Sequence, residues 1–138
     1  HDLNDNDIAA WERIRKRFTR CCEAAKGNGV KLLIDAEESW LQPAINRLVE
    51  EMMEKFNTDE VIIFTTVQKY LKDRLHYLEE IAQKAKTKGF KVGIKIVRGA
   101  YMEKEAARAL DKGYENPVCP SKKATDKNFN DGWRFIID

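Results

Sequence analysis

Three short, almost continuously apolar runs, set apart by stretches of helical spacing, constrain this chain more than any other feature of its sequence. The runs are Val30-Lys31-Leu32-Leu33-Ile34-Asp35-Ala36, Val61-Ile62-Ile63-Phe64-Thr65-Thr66-Val67 and Lys91-Val92-Gly93-Ile94-Lys95-Ile96-Val97-Arg98. Their length, and the β-branched content of the second, make each a buried strand. Between and around them the apolar period changes. Ile8, Trp11, Ile14, Phe18, Cys22 and Ala25 recur at steps of three and four, one face of an amphipathic helix that Gly27 and Gly29 bring to a stop. Leu41, Ile45, Leu48, Met52 and Phe56 form a second stripe, with Pro43 suited to a first turn. Leu71, Leu75, Leu78, Ile81 and Ala85 form a third, stopped at Gly89. Met102 to Leu110 is weakly helical up to Gly113, and Tyr114 to Lys123, with two of the three prolines, reads as a loop. Thr125 or Asp126 is placed to cap a last helix through Phe129, Trp133 and Ile136.

Strands joined through helices must run parallel, because only a crossover returns the chain in the same direction. The expected class is therefore α/β, with three parallel strands near 30–36, 61–67 and 91–98. A closed (β/α)8 barrel takes about 250 residues, so 138 residues in this order predict a partial TIM-type barrel. Residues 1–138 read as a single segment, without linker, repeat or low-complexity stretch, whose two ends look cut.

Charge narrows the partners. Charged residues make up 35% of the chain, yet the formal net charge is only +2 and the basic residues look scattered, which argues against a nucleic-acid or membrane-surface footprint. Three cysteines without a CxxC spacing predict a reducing, cytoplasmic compartment rather than a disulfide framework. No apolar run reaches the roughly 18 residues of a membrane span.

Polar residues gather where parallel α/β folds carry their chemistry, at the C-terminal ends of the strands. The first strand delivers Asp35, Ala36 and Glu37; the second ends in Thr65, Thr66 and Gln68; the third carries Lys95 and runs into Arg98-Gly99-Ala100-Tyr101. Lys95 is the most informative. It shares a strand face with Gly93 and Val97, and an ammonium in a covered strand must find an anion or lose its proton. Two readings stay open for it: an ion pair within the sheet, with Asp35 as the candidate partner, or a cation facing a ligand. Asp35 reads equally as a helix N-cap, Glu37 and Glu38 as first-turn acids, and Gly99 as a simple turn residue. No spacing suits a metal, and no GxGxxG, P-loop or GxSxG sequence is present.

Leu33-Ile34-Asp35-Ala36-Glu37-Glu38-Ser39-Trp40 and Lys95-Ile96-Val97-Arg98-Gly99-Ala100-Tyr101-Met102, with Thr65-Thr66-Val67-Gln68 between them, resemble the signature strands of FAD-dependent proline dehydrogenases, including the proline dehydrogenase domain of proline utilisation A. The resemblance covers almost the whole chain. It implies a distorted (β/α)8 barrel holding FAD, of which this chain supplies the central third, fourth and fifth strands. It implies oxidation of L-proline to Δ1-pyrroline-5-carboxylate by hydride transfer to flavin N5, with the electrons passed to a quinone. Asp35 and Lys95 are then the catalytic pair beside substrate and flavin. Ala36, Thr65, Gln68, Arg98, Gly99 and Ala100 contact the cofactor, and Tyr101 packs on the proline ring. Thr65 departs from the glutamine of many members. The flanking strands, an earlier lysine and an arginine pair on a last helix, which the family uses for the rest of FAD and the substrate carboxylate, are outside this sequence. The isolated segment is therefore expected to be inactive, and the parent enzyme is expected at the periphery of the inner membrane. Two other readings remain at this point: a Schiff-base lyase barrel using Lys95, and a non-catalytic α/β fragment that self-associates through its sheet edges.

Overall fold

The computed structural model describes residues 4–137. Eight elements follow one another as α1 (Asp5–Gly27), β1 (Leu32–Ile34), α2 (Gln42–Phe56), β2 (Ile63–Gln68), α3 (Arg74–Lys88), β3 (Gly93–Val97), α4 (Met102–Lys112) and α5 (Lys122–Ile137). This is the order that the changes of apolar period lead one to expect. The strands form one parallel sheet in the order β1-β2-β3, with Ile34 beside Thr65 and Thr66 beside Lys95.

One face of the sheet is packed. Cys22 of α1, Leu48, Val49, Met52 and Met53 of α2 and Ile81 of α3 join Ile62 and Ile63 in a single core, against which Leu32, Ile34 and Val92 also pack. Each fully buried aliphatic side chain of this kind contributes about 1.5–3 kcal/mol. The other face is open along β1, while Thr66 and Gln68 of β2 are buried on it. Leu33, between two core-facing neighbours, is 49% exposed. Helices on one side only are the layering of a barrel wall rather than of a doubly wound sheet. The continuous apolar runs suggest cover on both faces, and here the structure differs.

The packed side is pinned at the N-terminal ends of the strands by Asn57, the fully buried residue that follows α2. Its Oδ1 accepts from the Ile62 and Ile63 amides, while its Nδ2 donates to the carbonyls of Ile63 and Lys91 at 2.8 and 3.0 Å. Gly93 opens β3 because nothing larger fits: a Cβ there would lie 2.4 Å from the Ile63 carbonyl oxygen and 2.8 Å from the Phe64 ring.

Two helix boundaries differ from expectation. α3 begins at Arg74, so Leu71 is not part of its stripe. Leu71 instead bridges to Val118 and is buried with Tyr70 in a second, small cluster beneath the loop 113–121. α5 begins at Lys122, with the Ser121 hydroxyl accepting from the Ala124 amide. Ser121, rather than Thr125 or Asp126, therefore caps it. Lys69 lies under α5: fully buried, its stem against Gly132, its ammonium without a hydrogen-bond partner among the described residues. Burial pushes its pKa down. On α1, Arg13, Lys16, Arg17 and Arg20 share one helix side, and all four are exposed. The basic residues are thus less scattered than the linear sequence suggests.

Candidate active site

The three strand ends converge on one concavity of about 250 Å³, lined by Asp35, Ala36, Glu37, Thr66, Gln68, Lys95, Val97, Gly99, Ala100 and Tyr101. Backbone register explains the set. Thr66 pairs with Lys95 and Gln68 with Val97, and alternate residues point to the same face. Seven of the nine site residues expected from the sequence line this hollow: Asp35, Ala36, Gln68, Lys95, Gly99, Ala100 and Tyr101.

The other two are turned elsewhere. Thr65 is buried, but it has the opposite parity and faces the helical layer beside Tyr77. Thr66 takes its place in the hollow, its hydroxyl donating to the Ile34 carbonyl at 2.8 Å and lying 3.5 Å from Asp35 Oδ1. Arg98 leaves the rim for α5, where it pairs with Asp126 at 2.8 Å and stacks over the Phe129 ring at 5.1 Å.

At the centre, Lys95 Nζ donates to Asp35 Oδ1 at 2.6 Å across the strand between them. Of the two readings of Lys95 the ion pair within the sheet is formed, with Asp35 as its partner, and the pair stands in the mouth of the hollow. The hydrogen bond and charge of Lys95 hold the Asp35 carboxyl below the usual carboxylate range. Asp35 is not a helix cap, since α2 starts only at Gln42, and no acid lies in that first turn.

Around the pair, neutral donors and acceptors fix the corner after β1. Gln68 Nε2 donates to the Glu37 carbonyl and to the Tyr70 hydroxyl, both at 2.8 Å, and the same hydroxyl accepts from the Tyr101 amide at 3.3 Å. The buried Gln42 accepts the Glu37 amide at 2.9 Å. Tyr101 donates to Glu37 Oε2 at 2.6 Å, and this carboxylate pushes the phenol up to about 12. Neither spacing nor resemblance points to Gln42 or Tyr70, and Glu37 and Thr66, though placed at the strand ends, receive no site role from the sequence. For Thr66 a signal does exist, because it shares the parity of Gln68.

The lining fits a flat, polar heteroaromatic ring. Ala36, Gly99 and Ala100 present backbone with little side chain, and a Cβ added at Gly99 would have only the Met102 sulfur within 4 Å, at 3.9 Å. Lys95 supplies a cation, and Gln68 Oε1 is a buried acceptor without a donor among the described residues, suited to a ring N–H.

Comparison with known proteins gives the family and the fold. Residues 3–138 match the family described as Proline dehydrogenase. The chain belongs to the proline dehydrogenase family. It is 41% identical over 134 residues to the carbapenem antibiotics biosynthesis protein CarD of Pectobacterium carotovorum subsp. carotovorum, covering 97% of this chain and 35% of that protein. It is 40% identical over 137 residues to the mitochondrial proline dehydrogenase 1 of Caenorhabditis elegans, covering 99% of this chain and 22% of that protein. Among solved structures, proline utilization A (PutA) from Bdellovibrio bacteriovorus, inactivated by N-propargylglycine, superposes with a TM-score of 0.85 at 19% identity, over 94% of this chain and 14% of that one. That last likeness carries the fold, and with it the expected barrel-type α/β architecture. The chain thus spans about a sixth to a third of the length of the curated relatives it matches.

Proposed function

We propose that this chain forms the central, flavin-facing wall of an enzyme that oxidises L-proline to Δ1-pyrroline-5-carboxylate, with FAD as cofactor and a quinone as the final electron acceptor. The carrying observation is the Lys95–Asp35 pair at 2.6 Å in a hollow that also carries Glu37, Thr66, Gln68 and Tyr101, beside near-bare backbone at Ala36, Gly99 and Ala100. Bound FAD would supply the acceptor for the hydride that leaves the substrate. Ala36, Gly99, Ala100 and Gln68 would hold it, with Thr66 in the position that the resemblance gives to Thr65.

The chain's own residues do the rest. Asp35, kept ionised by Lys95, would accept a hydrogen bond from the N–H of the substrate's secondary amine and orient it, the amine having to be neutral to give up hydride. Lys95 places positive charge at the rim, where negative charge develops during reaction. Tyr101, with its hydroxyl anchored on Glu37, presents a fixed ring face to a small apolar ring. A Schiff-base role for Lys95 is disfavoured, because a lyase lysine needs an unpaired amine in an apolar pocket, and here the ammonium is hydrogen-bonded to a carboxylate.

The two strand edges of the sheet, on β1 and β3, carry backbone groups with no partner strand among the described residues. They support a place in the middle of a larger barrel rather than at its end. The basic side of α1, formed by Arg13, Lys16, Arg17 and Arg20, supports peripheral contact with an anionic membrane. No helix among the described residues is long and apolar enough to cross one.

The test is anaerobic titration of the FAD-loaded intact enzyme with L-proline, with 4-hydroxyproline in parallel. Bleaching of the flavin band by proline is expected. A borohydride-trapped carbonyl adduct on Lys95, or a stable dimer by light scattering with no flavin uptake, would overturn the reading in favour of a lyase or a self-associating fragment.

A further inference from the structure

Helix α4 buries only two side chains, Ala109 and Glu105. Glu105 is fully buried, and no cation pairs with it among the described residues. Its Oε1 accepts from the Ser39 amide and its Oε2 from the Ser39 hydroxyl, both at 2.6 Å. A carboxylate placed out of water costs several kcal/mol unless it is fully hydrogen-bonded, so an acid here needs a reason that a glutamine or leucine would not satisfy.

The neighbours of Glu105 point to that reason. Four consecutive residues of the loop after β1 are each held by one side of α4. Tyr101 donates to Glu37 at 2.6 Å, Lys104 pairs with Glu38 at 3.0 Å, Glu105 takes Ser39 twice, and Arg108 stacks over Trp40 at 4.4 Å. Positions 101, 104, 105 and 108 are one helix face, and 37 to 40 are the residues immediately after Asp35 and Ala36. Of the four contacts, three lie at the surface or half-buried, where such contacts contribute little. The Glu105 contact is the one made by a fully buried side chain, and it is bidentate on a half-buried Ser39, which makes it the one able to fix the loop.

We propose that Glu105 is a positioning residue: by holding Ser39 through two hydrogen bonds from a fully buried carboxyl group, it sets where the Asp35–Ala36 corner stands relative to Lys95. It does not reach the hollow itself. The role rests on the reading of that hollow as the proline and flavin site, and it adds a dependence of turnover on a side chain from the helix after β3. α4 thereby couples the end of β3, which carries Lys95, to the end of β1, which carries Asp35. A residue that supports the groups at a site is needed wherever geometry must hold within about 0.5 Å.

The experiment compares Glu105→Gln, Ser39→Ala and Ser39→Thr in the intact enzyme, by hydrogen exchange without cofactor and by steady-state kinetics with it. Glutamine keeps the size but turns a donor toward Ser39, and alanine removes only the hydroxyl bond. In Glu105→Gln and Ser39→Ala, exchange in residues 36–41 is expected to rise about tenfold with α2 and β2 unchanged. kcat should fall about tenfold with KM within about twofold, and Ser39→Thr should keep both near wild type. Unchanged exchange in 36–41 overturns the proposal, as does a rise spread evenly over the chain, which marks a structural role only. So does a loosened loop with unaltered kcat. If the wild-type enzyme itself fails to oxidise proline, it is the functional reading that falls, and the exchange pattern alone then decides the role of Glu105.

Discussion

The two ends of the same three strands are built on opposite terms. At the N-terminal end Asn57 makes four hydrogen bonds in a site with no access to water, and Gly93 is closed over by Phe64. At the C-terminal end the contacts are charged, half-exposed and incomplete: Lys95 on Asp35, Tyr101 on Glu37, and a glutamine oxygen with no donor among the described residues. One end holds the sheet together, and the other holds it open. The difference shows that in this fold close packing and an open, charged rim are separated along the strand rather than between domains.

The contrast can be broken from the stable end. Asn57→Ala removes four buried hydrogen bonds and strands the amides and carbonyls they served, so a loss of about 3 kcal/mol or more is expected. The urea midpoint of the intact protein measures it. At the other end Lys95→Met should leave that midpoint within about 0.5 kcal/mol, because the pair is half-exposed. The same change should lower kcat/KM for proline about a hundredfold. A destabilised Lys95→Met with normal turnover would reverse the assignment of the two ends. Gly93→Ala forces a methyl group against backbone and should cost about 1–3 kcal/mol by thermal unfolding, with the flavin spectrum unchanged.

The smallest effect is one of acidity. Since Lys95 holds the folded pKa of Asp35 below its unfolded value, the pair's contribution is complete above the ordinary aspartate value of about 3.9. It fades as the pH falls through the lowered one. Thermal midpoints of wild type and Lys95→Met should therefore converge toward the acid end. Curves that stay parallel would show that the pair is not formed in solution.

Most of this architecture can be read from spacing, because helices and strands with one buried face write their period into the sequence. Asp35 and Lys95 are legible for the same reason, as charged residues interrupting or ending an apolar run, whereas the role expected for Tyr101 rests on the family resemblance alone. Thr65 and Thr66 are not separable by hydrophobicity. β2 is buried on both faces over most of its length, so nothing apolar alternates, and a slip of one residue moves a side chain to the other face. Only the parity of Gln68 distinguishes them. Glu105 is hidden differently. Among Glu103, Lys104 and Arg108 it reads as part of a solvated helix face, and its burial depends on a loop 66 residues away in the chain. Arg98 looks like a ligand contact because its partners, Asp126 and Phe129, lie on a helix whose docking no local pattern announces.

The lysine beneath α5 carries a consequence of its own. Lys69 is enclosed with no hydrogen-bonded counter-ion among the described residues, so the folded chain holds that proton less firmly than the unraveled one does. Alkali, which weakens most proteins by stripping their lysines of useful charge, here removes a burden: between the depressed value and the roughly 10.4 of a free lysine, each step upward in pH favours the folded form.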